Sequence, residues 1–146
     1  MVKVPLEQLV WIVIKLHEKY AKRGLGRTKL VKLLFFIDLE AMKRFSSKIT
    51  GLTWFRWFYG PFNPEIYRIL EELMSQGVID IDVYVHDDLR TEFIYCTKKP
   101  MKVELSRDIK ALVKEVVRKY AKKSLIEVLK DAYEKMGDRD LGEVII

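Results

Sequence analysis

Along residues 5–22 apolar side chains return at helical spacing. Leu6, Leu9, Val10, Val13, Ile14 and Tyr20 fall on one side, and Glu7, Lys15, Lys19 and Lys22 on the other. The pattern predicts a first amphipathic helix, with Gly24 and Gly26 supplying its stop and the turn after it. Thr28 is placed to cap a second helix that runs to Phe45. Its apolar residues (Leu30, Val31, Leu33, Leu34, Phe35, Ile37 and Leu39) cover far more than one stripe. A helix of that kind belongs at the centre of a fold, touched on several sides. Gly51 marks a loop.

The stretch Thr53–Tyr59 is aromatic on both alternating faces except at Arg56, which reads as a strand covered on both sides. Gly60-Pro61 breaks it. Asn63 and Pro64 then open a third helix over 64–76 that buries Ile66, Ile69, Leu70 and Leu73 and ends at Gly77. Val78–Val85 and Thr91–Thr97 alternate as a β-hairpin around His86-Asp87-Asp88-Leu89, and Pro100 ends the sheet. Two more helices follow over 106–121 and 124–136, the last opened by a capping box of Ser124 and Glu127, and 137–146 reads as a loosely held tail. The sum is one α+β domain over 1–146, five helices around a small antiparallel sheet. Its third helix and hairpin together make a winged-helix-like unit.

A hydrophobic fraction of 49% beside 33% charged residues is a globular composition, and 146 residues suffice for one core. No apolar run approaches the roughly 20 residues of a membrane span, so no membrane association is expected. The lone Cys96 cannot make an internal disulfide, and the N-terminus has no signal-like apolar region; a cytoplasmic location follows. Amides are scarce, only Gln8, Asn63 and Gln76. Hyperthermophilic proteins share that bias, so a thermophilic source is expected and part of the net charge of +6 belongs to thermal adaptation.

The charge is unevenly distributed. Residues 1–62 carry twelve basic and four acidic side chains, 63–97 carry two and eight, and 98–146 carry thirteen and nine. The predicted recognition helix and wing are therefore the acidic part, which opposes the usual winged-helix contact with phosphates. Glu65, Arg68 and Glu72 on the third helix, with Asp87 and Asp88 on the hairpin, form a candidate surface for a protein partner. The alternative is a nucleic-acid surface made of Lys19, Lys22, Arg23, Arg27, Lys29 and Lys32 with Lys110, Lys114, Arg118 and Lys122. A solvated helix face with i,i+4 pairs to Glu, and basic residues favoured at a helix C-terminus, is the simpler explanation of the basic row. Opposite charges on two halves also provide for self-association into a homodimer.

Catalytic chemistry finds little footing. His86-Asp87-Asp88 has metal-binding or acid–base residue types, but a polar hairpin tip accounts for it. No nucleophile–base order, phosphate loop, paired-cysteine site or dinucleotide fingerprint occurs, so neither catalytic residues nor a cofactor or metal is assigned. Cys96 lies in a strand pattern and reads as packed. The aromatic run Trp54–Tyr59 has the residue types of a base-stacking platform but lacks interleaved basic residues, so it reads as core. Arg56, if buried there, needs a carboxylate, with Asp38 and Glu40 as candidates.

Three segments resemble a known family. Lys29-Leu30-Val31-Lys32-Leu33-Leu34-Phe35-Phe36 is similar to the KLQKLLYF helix of Panacea-domain proteins, the group that includes SocA-like antitoxins. Tyr59-Gly60-Pro61-Phe62-Asn63-Pro64-Glu65-Ile66-Tyr67 resembles their YGPVxPxVY turn, and Lys123–Leu129 their short last helix. The matching family-motif positions are Lys29, Lys32, Tyr59, Gly60, Pro61, Pro64 and Tyr67. The first two motifs also resemble small YwgA-like proteins. One departure stands out: where the family carries a histidine followed by a tryptophan in its last helix, this chain has Asp131-Ala132-Tyr133-Glu134. The resemblance implies a non-catalytic interaction module, antitoxin-like or adaptor-like, whose partner is a toxin or a regulatory target protein. A nucleic-acid-binding regulator is the alternative.

Overall fold

The computed structural model describes residues 4–146. Met1–Lys3, part of the segment from which the absence of a signal was read, lies outside it. Five helices occur in the described residues: α1 (Leu6–Ala21), α2 (Arg27–Phe45), α3 (Glu65–Ser75), α4 (Arg107–Tyr120) and α5 (Leu125–Met136). Five strands accompany them: β1 (Leu25–Gly26), β2 (Phe55–Trp57), β3 (Gly60–Phe62), β4 (Ile79–Val85) and β5 (Thr91–Thr97). The architecture is α+β, as expected.

Helix α2 is the centre. Every residue from Lys29 to Asp38 is buried, which a helix surrounded on all sides requires. Helices α1, α4 and α5 and strand β3 pack around it. Its N-cap is Gly26 with no side-chain cap, so Thr28 lies one residue inside the helix rather than at its end. Helices α4 and α5 start as expected. Ser106 accepts from the Ile109 N–H, and Ser124 and Glu127 complete a capping box. At α3 the Asn63 side chain accepts the Glu65 N–H at 2.8 Å while Pro64 takes the N-cap position.

The hairpin pairs Ile79 with Thr97 through Val85 with Thr91, and its turn closes with the His86 N–H on the Arg90 carbonyl at 2.8 Å. A third strand was not foreseen. β1 adds to β5 in the order β1–β5–β4, with Leu25 opposite Tyr95. Of the glycines that read as a stop and turn, Gly24 precedes this strand and Gly26 ends it, while the stop of α1 is the left-handed Lys22. Gly24 is required by close approach: a Cβ there would meet Ile94, Cys96 and the Tyr95 carbonyl at 2.7–2.9 Å.

The aromatic segment departs most from expectation. Only Phe55–Trp57 is a strand, and Gly60-Pro61, expected to break it, opens the strand Gly60–Phe62 that pairs back on it. Trp54 alone is fully buried, whereas Trp57, Phe58 and Tyr59 are 44, 62 and 67% exposed. The chain therefore makes a tight two-stranded turn: the side chains of Trp57–Tyr59 stay outside the core, and Gly60 and Pro61 return to it. Arg56 is half-buried, donates to the Trp57 carbonyl, and lies over the Tyr133 ring at 5.6 Å. Neither Asp38 nor Glu40 is its partner. The segment read as a loosely held tail hydrogen-bonds to β2: Gly142 N–H reaches the Arg56 carbonyl at 2.7 Å, and Ile145 N–H the Trp54 carbonyl at 2.7 Å.

Candidate partner-binding surface

Two lysines of α2 hold the three motif segments together. Lys29, 6% exposed, donates from Nζ to the carbonyls of Ala121 (2.9 Å) and Lys123 (3.1 Å), the C-terminal end of α4 and the entry to α5. A helix C-terminus leaves carbonyls unpaired and carries partial negative charge, so an ammonium suits it. His17 Nε2 lies 3.0 Å from the same Nζ and accepts from the ammonium. Burial, then the Lys29 charge, pushes the His17 pKa down to about 4, and burial lowers Lys29 to about 8. One turn on, Lys32 donates to the Pro61 carbonyl at 2.9 Å. Its stem packs 3.7 Å from the position a Gly60 Cβ would take, and Gly60 itself has φ +99°. The Lys-x-x-Lys spacing thus serves packing: one lysine fastens α4–α5, the next the Tyr-Gly-Pro turn.

Asp38 does a similar task at the other end of the segment. Its carboxylate accepts from Ile49 N–H (2.9 Å), Thr50 N–H (3.1 Å), Thr50 Oγ1 (2.6 Å) and Trp54 Nε1 (2.8 Å), all buried. That hub fixes where the chain emerges from the core. Beyond it Trp57, Phe58 and Tyr59 project outward, with Trp57 edge-on to Phe58 at 5.2 Å and stacked toward Phe62 at 6.5 Å. Phe62 meets Tyr67 of α3 at 5.2 Å, and the Tyr133 hydroxyl of α5 donates to the Phe58 carbonyl at 2.7 Å. The result is a rigidly held aromatic ridge facing solvent. Sequence reasoning missed it because two-sided aromatic alternation looks the same whether or not anything covers it.

The residues expected to bind a protein partner lie in two places. Arg68 pairs with both Glu65 and Glu72 along α3, and its hydrogen bond to Glu65 holds that carboxyl below its usual range. Asp87 and Asp88 sit at the hairpin turn, where Asp88 accepts the Arg90 N–H at 3.1 Å. Among the described residues no hydrogen bond or ion pair joins the two groups. His86 Nε2 lies 3.0 Å from a Glu92 oxygen, and the described residues hold no cluster of three His, Cys, Asp or Glu suited to a metal.

The basic set also divides. Lys29 and Lys32 are buried, and Arg27 is withdrawn: it donates to the Tyr95 hydroxyl at 2.7 Å and lies over the Phe93 ring at 4.0 Å. These three leave the expected nucleic-acid surface because buried or half-buried partners engage them. Lys19, Lys22, Arg23, Lys110, Lys114, Arg118 and Lys122 remain exposed on α1, α4 and their C-terminal ends, Lys22 as the left-handed C-cap of α1. Lys19 and Arg118 each lie 5.6 Å from the Tyr20 ring, which brings the two rows side by side. Cys96 is half-buried and burial raises its thiol pKa, as befits a packed residue.

The family model described as "Antitoxin SocA-like, Panacea domain" matches residues 30–138. The chain belongs to this family. Neither the comparison with curated proteins nor that with solved structures gave a match. In this Panacea domain the matched region begins at α2 and ends just past α5, so it includes Lys32, the aromatic ridge, the hairpin and the capping box of the last helix. Tyr133 is in the stretch where the resemblance implies a histidine, and here its hydroxyl braces the ridge. Among the described residues no helix is long and apolar enough to cross a membrane.

Proposed function

We propose that this Panacea domain is a non-catalytic, antitoxin-like module that binds a protein partner through the ridge Trp57–Phe58–Tyr59. The observation that carries the reading is the exposure of three consecutive large aromatic side chains on a turn braced from α5. Such side chains cost free energy in water, and aromatic anchors on a rigid support are what binding hot spots are made of. The acidic candidates are weaker anchors, since Glu65, Arg68 and Glu72 already satisfy one another and exposed ion pairs contribute little.

A nucleic-acid reading has one observation in its favour, the order α3 then hairpin with β1 as third strand, which suits a winged helix. Against it stands the acidity of 63–97, and the retreat of Arg27 and Lys29 from the basic set.

The test is affinity capture from nuclease-treated lysate of the source organism, with wild-type protein and the Trp57→Ala/Phe58→Ala/Tyr59→Ala variant. A protein retained by the first and lost by the second, with unchanged melting, is expected. Identical captures, or nucleic acid as the sole ligand before nuclease treatment, refute the reading.

A further inference from the structure

Helix α1 and helix α4 pack side by side, and the segment 101–105 just before α4 packs against the same core and lines the same cleft. Met101, Val103 and Leu105 alternate along this segment, and its Glu104 N–H is pinned to Gln8 Oε1 at 2.7 Å. Between the three runs a cleft of about 480 Å³ with an apolar floor of Trp11, Ile12, Leu16, Met101 and Val103 opens. That volume is in the range of ligand clefts, roughly 300–1,000 Å³. Lys110 and Lys114 stand at its rim, and Arg118 and Lys122 continue their row at four-residue spacing. Among the described residues none of these four cations forms an ion pair; Glu115, their neighbour on α4, is taken by Arg44 at 2.7 Å. Trp11, only 7% exposed, lines the cleft, and its indole N–H is buried without a hydrogen-bond partner.

We propose that this cleft binds an amphipathic helix of a partner protein whose apolar stripe is flanked by a row of Asp or Glu. The floor takes side chains at i, i+3, i+4 and i+7, the spacing of helix-in-groove recognition. Carboxylates four residues apart align with the cations of α4, whose own spacing is that of one helix ridge. A phosphate backbone matches the rim but has nothing apolar to lay on Ile12, Leu16 and Met101, so the floor decides between the two. The site is separate from the proposed function, because no residue of the aromatic ridge lines the cleft.

The test is fluorescence anisotropy of full-length protein with a labelled helix-forming peptide, Leu at i, i+3, i+4 and i+7 and Glu on both flanks. The same composition scrambled and a short DNA duplex are the controls. The designed peptide is expected to bind, the scrambled one much less, and the duplex not to displace it. Lys110→Glu/Lys114→Glu is expected to weaken binding by about tenfold or more. Ala111→Trp, which fills the cleft, weakens it too. All three altered positions are exposed, so melting curves should coincide with wild type. The Trp57→Ala/Phe58→Ala/Tyr59→Ala variant should bind the peptide normally, which separates this site from the ridge. No binding, equal binding of the scrambled peptide, displacement by the duplex, indifference to both cleft variants, or loss of binding in the ridge variant overturns the proposal. So does self-association in sedimentation that Lys110→Glu/Lys114→Glu abolishes, since the occupant would then be a second copy of this chain.

Discussion

Lys32 Nζ on α2 donates to the carbonyl oxygen of Pro61 at 2.9 Å, so a buried ammonium ties the central helix to the turn that presents the aromatic ridge. The side chain is 2% exposed, and burial lowers its pKa to about 8. An unfolded lysine titrates near 10.5, so between those values the unfolded chain holds the proton that the folded chain releases. Stability therefore rises with pH across that window. Burial raises the phenol pKa of Tyr95 and Tyr120, which opposes the trend above about pH 10. Lys29, lowered to about 8, adds to the rise. Urea unfolding between about pH 8 and 10 should show increasing stability in wild type, with a shallower slope in Lys32→Met. For Lys32 alone the full effect is on the order of 3 kcal/mol. Equal slopes would mean the ammonium is not shielded as described.

His17 gives the corresponding effect in acid. Its folded pKa of about 4 lies below the unfolded value of 6.5, chiefly through burial and then through Lys29. Between those values the unfolded chain alone binds the proton, so stability falls as pH drops from about 6.5 to about 4. His17→Leu removes the titrating group while Lys29 keeps the Ala121 and Lys123 carbonyls. Thermal melts of that variant should lose less over this window than wild type; a parallel decline would place the acid sensitivity elsewhere.

Asp38 is the single acceptor for four buried donors. Asp38→Ala leaves them all unpaired and should cost about 4 kcal/mol or more, since one orphaned buried donor costs roughly 1–3 kcal/mol. Asp38→Asn, which keeps one acceptor oxygen, should fall between the two. Equilibrium unfolding measures both. A loss under about 1 kcal/mol for the alanine variant would show that water takes over the carboxylate's task.

The elements legible in the sequence are those specified by neighbours along the chain. Ser106, Ser124 and Glu127 cap helices through contacts three residues away, so α4 and α5 start where local chemistry puts them. The alternation of 78–85 and 91–97 gave the hairpin almost to the residue. The family motifs were readable for the same reason, as short strings, although their purpose was not: nothing local says that Lys29 meets the end of α4, ninety-two residues on. The basic set was misjudged at Arg27, Lys29 and Lys32 because lysine and arginine look alike in sequence whether hydrated or bound to remote carbonyls and rings.

By itself, then, the sequence determined the helices, the hairpin, the central position of α2 and the acidic character of 63–97, all properties of composition and short-range periodicity. Tertiary structure alone decided that Leu25–Gly26 joins β5, that 142–146 lies along β2, and that Trp57, Phe58 and Tyr59 face solvent. The physical reason is common to all three. A strand's partner and a side chain's burial depend on which distant surface arrives, and the alternating pattern is the same before and after that surface is in place.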